Sequence, residues 1–171
     1  MEDYYEDYSV NKGIRVDQSH VQLLSFHLLT IFLASENLHS LCNGEYDSGA
    51  DILANTFEKV EIEHLILQIA TLFRSADTSA LDELTMNPRW NPNVGKVEEP
   101  IGSQVKDLTL REACNKIIHV NEIKSEVIDG NYEWNRYLKP TIYLYGKKQE
   151  IRWRAILDVK NFCFEVCHVP E

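Results

Sequence analysis

The spacing of apolar residues changes along this chain from every third or fourth position to every second, and that change dictates helices first and a sheet afterwards. Val21, Leu24, Leu28, Ile31, Leu38 and Cys42 recur at three, four and seven residues, with Asp17 or Ser19 as N-cap and Asn43-Gly44 as stop. A second helical run spans about residues 51–75. Ile52, Leu53, Phe57, Val60 and Leu67 lie on it, then Leu65, Ile66, Ile69, Leu72 and Phe73, and its second half is apolar on most sides. That half is expected at the centre of the helical layer.

A third helix is announced by its cap. Thr109-Leu-Arg-Glu112 is a capping box, so a helix starts at Leu110, has Leu110, Ala113, Cys114, Ile117 and Ile118 as its apolar side, and ends near His119 or Val120. Beyond it the pattern is that of strands. Asp129-Gly130 is a two-residue hairpin signal, because both positions tolerate positive φ. A second hairpin joins residues 141–145 to 151–157 through a loop containing Gly146. Ile142 and Leu144 alternate there with Tyr143 and Tyr145, and Ile151, Trp153, Ala155 and Leu157 with Arg152 and Arg154. A final helix from Asp158 to about Cys167 would bury Phe162 and Val166.

The expected fold is therefore α+β in a single domain: an acidic Tyr-rich arm over residues 1–16, a helical part over 17–120, then an antiparallel sheet and terminal helix over 121–171. Within the helical part, residues 85–107 hold Pro88, Pro92, Pro100, Gly95 and Gly102 and read as a long loop, either a lid or a wrap pinned by Trp90.

Charge excludes some functions. The chain carries 27 acids against 17 Lys and Arg, a formal −10, which disfavours a general electrostatic grip on nucleic acid or an anionic membrane. Residues 1–100 have 17 acids and 6 bases, so the deficit lies in the helical half. The stretch Leu28 to Ala34 falls short of the roughly 20 apolar residues of a membrane span, and the acidic N-terminus does not read as a signal peptide. A cytoplasmic location with no membrane contact is expected. Cysteines 42, 114, 163 and 167 are too sparse for a disulfide scaffold, and Cys163, Cys167 and His168 lack a second ligand pair at zinc spacing. Neither a metal nor a cofactor is expected. Gly-rich phosphate loops, nucleophile elbows, zincin motifs and EF-hand loops are not found in the sequence.

Two groups of residues suggest chemistry. Arg111, Asn115 and His119 stand four apart on the capped helix and form a polar stripe beside its apolar seam. His119 can exchange a proton near neutral pH, Asn115 can orient it, and Arg111 can hold a phosphate, a set suited to metal-free cleavage of RNA by its own 2′-hydroxyl. A plainer account of the same residues is a C-terminal-turn histidine favoured by the helix dipole, with solvated Arg and Asn beside it. The second group is Lys147, Lys148, Arg152 and Arg154 close to Tyr143, Tyr145 and Trp153, the pattern of a single-strand binding surface. Lysines that discourage edge-to-edge pairing explain it equally, and alternation turns Trp153 inward. His64 and Arg74 could face the stripe, although a hydrogen-bonded core histidine and a terminal-turn cation are the simpler reading; His27, amid Leu and Phe, reads as buried or interfacial.

The segment Cys114-Asn-Lys-Ile-Ile-His119 resembles the Arg-Asn-x-x-x-His motif of the HEPN superfamily, small all-helical proteins that often dimerise and include metal-independent ribonucleases of toxin and antiviral systems. The string from Leu108 to His119 is also similar to segments of uncharacterised bacterial proteins. Asn115 and His119 match the motif; Cys114 stands where the family has Arg, and Arg111 is a displaced substitute. The resemblance covers the helices and implies an RNA-directed nuclease or an inactive relative, with a homodimer as the assembly. The alternative is a non-enzymatic acidic protein that binds a basic protein partner, its binding weakened by salt.

Overall fold

A computed structural model describes residues 18–42, 48–75, 92–130 and 136–168. The arm at 1–16, the Asn43-Gly44 stop and Trp90 lie outside the described residues. Two long helices, α1 (Gln18–Ser40) and α2 (Gly49–Ser75), precede strands β1 (Asn93–Glu98) and β2 (Lys106–Thr109). Then follow α3 (Leu110–Ile118), β3 (Glu122–Asp129), β4 (Arg136–Lys148), β5 (Ile151–Asp158) and α4 (Val159–Cys167). The strands form one sheet in the order β2-β1-β5-β4-β3, with every pairing antiparallel. The fold is α+β.

One face of the sheet is the core. Ile142, Leu144, Trp153, Ala155 and Leu157 point into it from β4 and β5, and α1, α3 and α4 cover them. Among the described residues α2 packs chiefly on α1 and α3, with Ile62, Leu65, Ile66, Ile69, Ala70 and Phe73 buried. α1, with 23 residues and a hydropathy of 1.3, is long and apolar enough to cross a membrane, which its longest unbroken apolar run had hidden. A third of that apolar stretch is buried in the fold, through residues that include Val21, Leu24, Leu28 and Phe32.

Both short helices begin where their caps place them. Thr109 accepts from the Glu112 amide at 3.4 Å, and the Asp158 carboxylate accepts from the Asn161 amide at 3.0 Å. α4 buries Phe162 and Val166.

Three sequence expectations are corrected. Residues 85–107 do not form one loop, because β1 and the start of β2 fall inside them. A bulge between Asn93 and Gly95 buries both Val94 and Val97, three apart, and so conceals the alternation of a strand. Gly95 is required there, because an added Cβ would lie 2.0 Å from the Ile156 carbonyl oxygen. Asp129-Gly130 is not a two-residue turn: Ile128 pairs with Tyr137 and Asp129 with Arg136, so six residues (130–135) connect the strands. Register follows the buried side chains, which set Ile123 opposite Leu144 and Ser125 opposite Ile142. Gly146 belongs to β4, opposite Trp153, and the turn is made by Gln149 and Glu150 at φ 46° and 69°.

The second half of α2 is buried as expected, through Ile62, Leu65, Ile66, Ile69, Ala70 and Phe73, except for Leu67. Ile52, Leu53, Phe57 and Val60 in the first half are exposed, because among the described residues α2 meets the rest of the fold through one side. His27 is exposed, which excludes the first of its two expected settings, buried or interfacial.

Candidate functional site

α3 carries the polar stripe. Arg111 and Asn115 are half-buried on its flank, and Arg111 is engaged in an interaction. His119 is the C-cap residue, at φ −106° and ψ 19°, and its backbone N–H donates to the Asn115 carbonyl at 3.2 Å. Its ring is exposed, and among the described residues no hydrogen bond or ion pair reaches it. The stripe is therefore present as a line along one helix, with its histidine at the helix end. His64 is exposed and bonded to Gln68 at 3.0 Å. Arg74, at the end of α2, lies near enough to α3 for its charge to act on Cys114.

Burial pushes the Cys114 and Cys163 thiols up to about 12, so neither is a nucleophile at neutral pH. Among the described residues all four cysteines are free, and no group of His, Cys, Asp and Glu is arranged to hold a metal ion.

The cationic hairpin is divided by its own ion pairs. Arg154 donates to Glu98 at 2.7 Å, and Lys147 pairs with Glu150 at 2.6 Å; Arg152 and Lys148 are exposed. Tyr143, Tyr145 and Arg154 share the sheet face that the helices leave open, and Lys124 stands 5.4 Å from the Tyr145 ring. Trp153 points inward, as alternation requires.

The hydrogen bond from Arg154 and a second from the Gly102 amide hold the Glu98 carboxyl below its usual 4.5. A carboxyl depressed in the folded state contributes stability above its unfolded value, and loses it as pH falls through the folded value. A Glu98→Gln variant is accordingly expected to show a flatter decline of its urea midpoint below pH 4.5 than the parent chain. Equal acid slopes would disprove the coupling.

A feature the sequence reading missed lies between α1 and α2. A groove of about 360 Å³ opens there, walled by Ile31 and Leu38 from α1 and by Leu53 and Phe57 from α2, with Ala34 between them. Glu58 and Glu61 stand on its α2 side. Glu58 Oε2 lies 3.2 Å from His39 Nε2 and accepts from it when that nitrogen carries the proton, while its Oε1 is buried without a hydrogen-bond partner. The available signal was a second face: at 100° per residue Ile52, Leu53, Phe57 and Val60 fall within about 140° of one another, opposite the arc of Ile62, Leu65, Ile66, Ile69 and Phe73.

No protein-family model matches this chain, and no curated protein and no solved structure is significantly similar to it.

Proposed function

We propose that this chain is a non-enzymatic interaction protein that docks a basic protein partner on the outer face of its α1–α2 pair. One observation carries the reading. Leu23, Phe26, Leu33 and Leu41 on or just after α1, and Ile52, Leu53, Phe57, Val60 and Leu67 on α2, are 46–69% exposed. Isolated exposed leucines are ordinary, but a run of this size along two adjacent helices marks a contact surface. Two helices of such length side by side present on the order of 700 Å², close to the ~800 Å² that each partner gives to a stable interface. Within the described parts of this pair, Glu36, Asp51, Glu58, Glu61 and Glu63 outnumber Lys59 and Arg74. That imbalance favours a basic partner over a second copy of the same chain. A cytoplasmic location accords with four free cysteines.

Affinity capture from an extract of the source cells tests this. Basic proteins held by the parent chain should be lost from a Leu53→Asp/Phe57→Asp variant, and should elute as salt rises from roughly 0.1 to 0.5 M. Both positions are about half exposed, so the variant should keep its unfolding free energy in urea within about 1 kcal/mol of the parent's. Retention of the same proteins by the folded variant would refute the proposal.

The ribonuclease reading has its own support in the exposed His119 ring at the end of the Arg111–Asn115 flank and in the HEPN-like motif. It makes the opposite prediction. A non-enzymatic protein leaves mixed cellular RNA intact in EDTA, and its His119→Ala variant loses no more than about 1 kcal/mol of stability. Cleavage that the parent chain shows and the variant lacks would establish the nuclease instead.

A further inference from the structure

We infer that β3 pairs with β3 of a second copy of this chain, antiparallel about a twofold axis at Ser125, so that the two sheets join into one. This surface is separate from the outer face of α1 and α2, and the inference does not rest on the interaction reading above. β3 ends the strand order β2-β1-β5-β4-β3, and among the described residues no strand pairs with its outer edge. Natural edge strands avoid further pairing by being short, by holding a proline or by bulging. β2, at the opposite end of the sheet, has four residues. β3 has eight, with neither proline nor glycine among them. Its register with β4 does shift, but Ser125 faces Ile142 and Val127 faces Leu138, so the extra residues, Pro140 among them, belong to β4 and β3 itself carries no bulge.

The side chains of β3 make it complementary to itself. Two antiparallel strands related by a twofold axis perpendicular to the sheet keep their faces, so each residue meets one from the same side. Ile123 packs against the core, and alternation puts Val127 on its side and Lys124 and Glu126 on the open face. With the axis at Ser125, Lys124 of each copy lies opposite Glu126 of the other, and Ile123 opposite Val127. Moving the axis by one residue sets Lys124 or Glu126 opposite itself, which repels. A lysine guards an edge against pairing only while no carboxylate faces it. Both charged side chains can reach across: Lys124 is 58% exposed and Glu126 30%, and a carboxylate that accepts from Lys139 at 2.9 Å has lone pairs for a second donor. Val127 and Ile128, now 50% and 37% exposed, lose water in the pairing. A strand pair about 24 Å long covers less than the ~800 Å² a side of a stable interface, so the dimer depends on concentration.

Sedimentation of the full chain from about 5 to 500 μM should show monomers giving way to dimers. Lys124→Glu leaves only carboxylates at the two facing positions and Glu126→Lys only ammonium groups, so each variant alone should dimerise about tenfold more weakly. An equimolar mixture of the two should recover the association of the parent chain, because opposite charges again face each other. Hydrogen exchange reads the parent without substitution: amides of residues 122–128 should slow as concentration rises, while those of β2 should not. A chain that stays monomeric at the highest concentration, variants that dimerise as the parent does, or a mixture no stronger than its components would overturn the inference. Should either variant fail to unfold cooperatively in urea, exchange in the parent decides alone, and protection of residues 122–128 that is independent of concentration overturns it.

Discussion

Gly146→Ala is expected to destabilise the fold by about 3 kcal/mol, at the upper end of what overpacking costs. An alanine Cβ at this position would lie 2.0 Å from Trp153 Cζ2 and 2.4 Å from Cε2. The indole cannot yield, because Trp153 is only 2% exposed and the Lys116 ammonium stands 4.5 Å from its ring. Either β4 leaves its register with β5 or the ring leaves the core. Urea unfolding measures the loss, and Gly49→Ala is the control. Nothing lies within 4 Å of a Cβ at Gly49, the first residue of α2, so that change should be neutral or stabilise by up to about 1 kcal/mol. Combining Gly146→Ala with Trp153→Leu should cost less than the sum of the two single changes, since the smaller side chain leaves room for the methyl group. Additive costs would mean that the indole is not what excludes it.

Gly146 also shows where sequence legibility ends. Local signals that act within one turn were readable: the Thr109 cap, the Asp158 helix start, and the alternation of Ile142 and Leu144 with Tyr143 and Tyr145 all stand in the structure as the sequence implies. Errors arose where a residue has its local conformation or position for a non-local reason. A glycine suggests a turn, yet Gly146 is small because of an indole on the next strand, and the turn itself uses Gln149 and Glu150 at positive φ. Asp129-Gly130 has good turn chemistry, but the pairing of Ile123 with Leu144 fixes a register that carries the chain past it. β1 was hidden by its bulge, which shifts the inward side by one residue between Val94 and Val97.

The candidate site divides in the same way. The stripe of Arg111, Asn115 and His119 follows from helix geometry alone and is found on α3, with His119 at its cap. Whether such residues converge on a ligand depends on neighbours that spacing does not specify. The α1–α2 groove depends on which side of α2 remains unpaired after α1 and α3 have packed against it; periodicity shows that α2 has two apolar faces, not which of them stays open. Lys116 is the sharpest case. It lies on α3 between apolar positions and is 8% exposed, which nothing in its spacing announces.

The burial of Lys116 leads to an asymmetric prediction for its pair with Glu99. The ammonium stands over Trp153 and is bonded to the Glu99 carboxylate, which belongs to the segment joining β1 to β2. Removing one partner of a fully buried pair costs about 3–5 kcal/mol, chiefly because the remaining charge loses its compensation. Glu99 keeps 31% of its side chain exposed, so water can replace part of what it gives, and Glu99→Ala should cost about 1–3 kcal/mol. Lys116→Met removes the charge that needs compensation and keeps an unbranched chain over the indole. It should therefore change stability by less than about 1 kcal/mol, even though it deletes the same ion pair. The double variant should resemble Lys116→Met alone, because Glu99 has no buried charge left to satisfy. Urea midpoints of the three variants decide the matter: equal losses from both single changes would mean that the pair itself stabilises the fold, whereas a loss confined to Glu99→Ala would mean that Glu99 is needed only because Lys116 is buried.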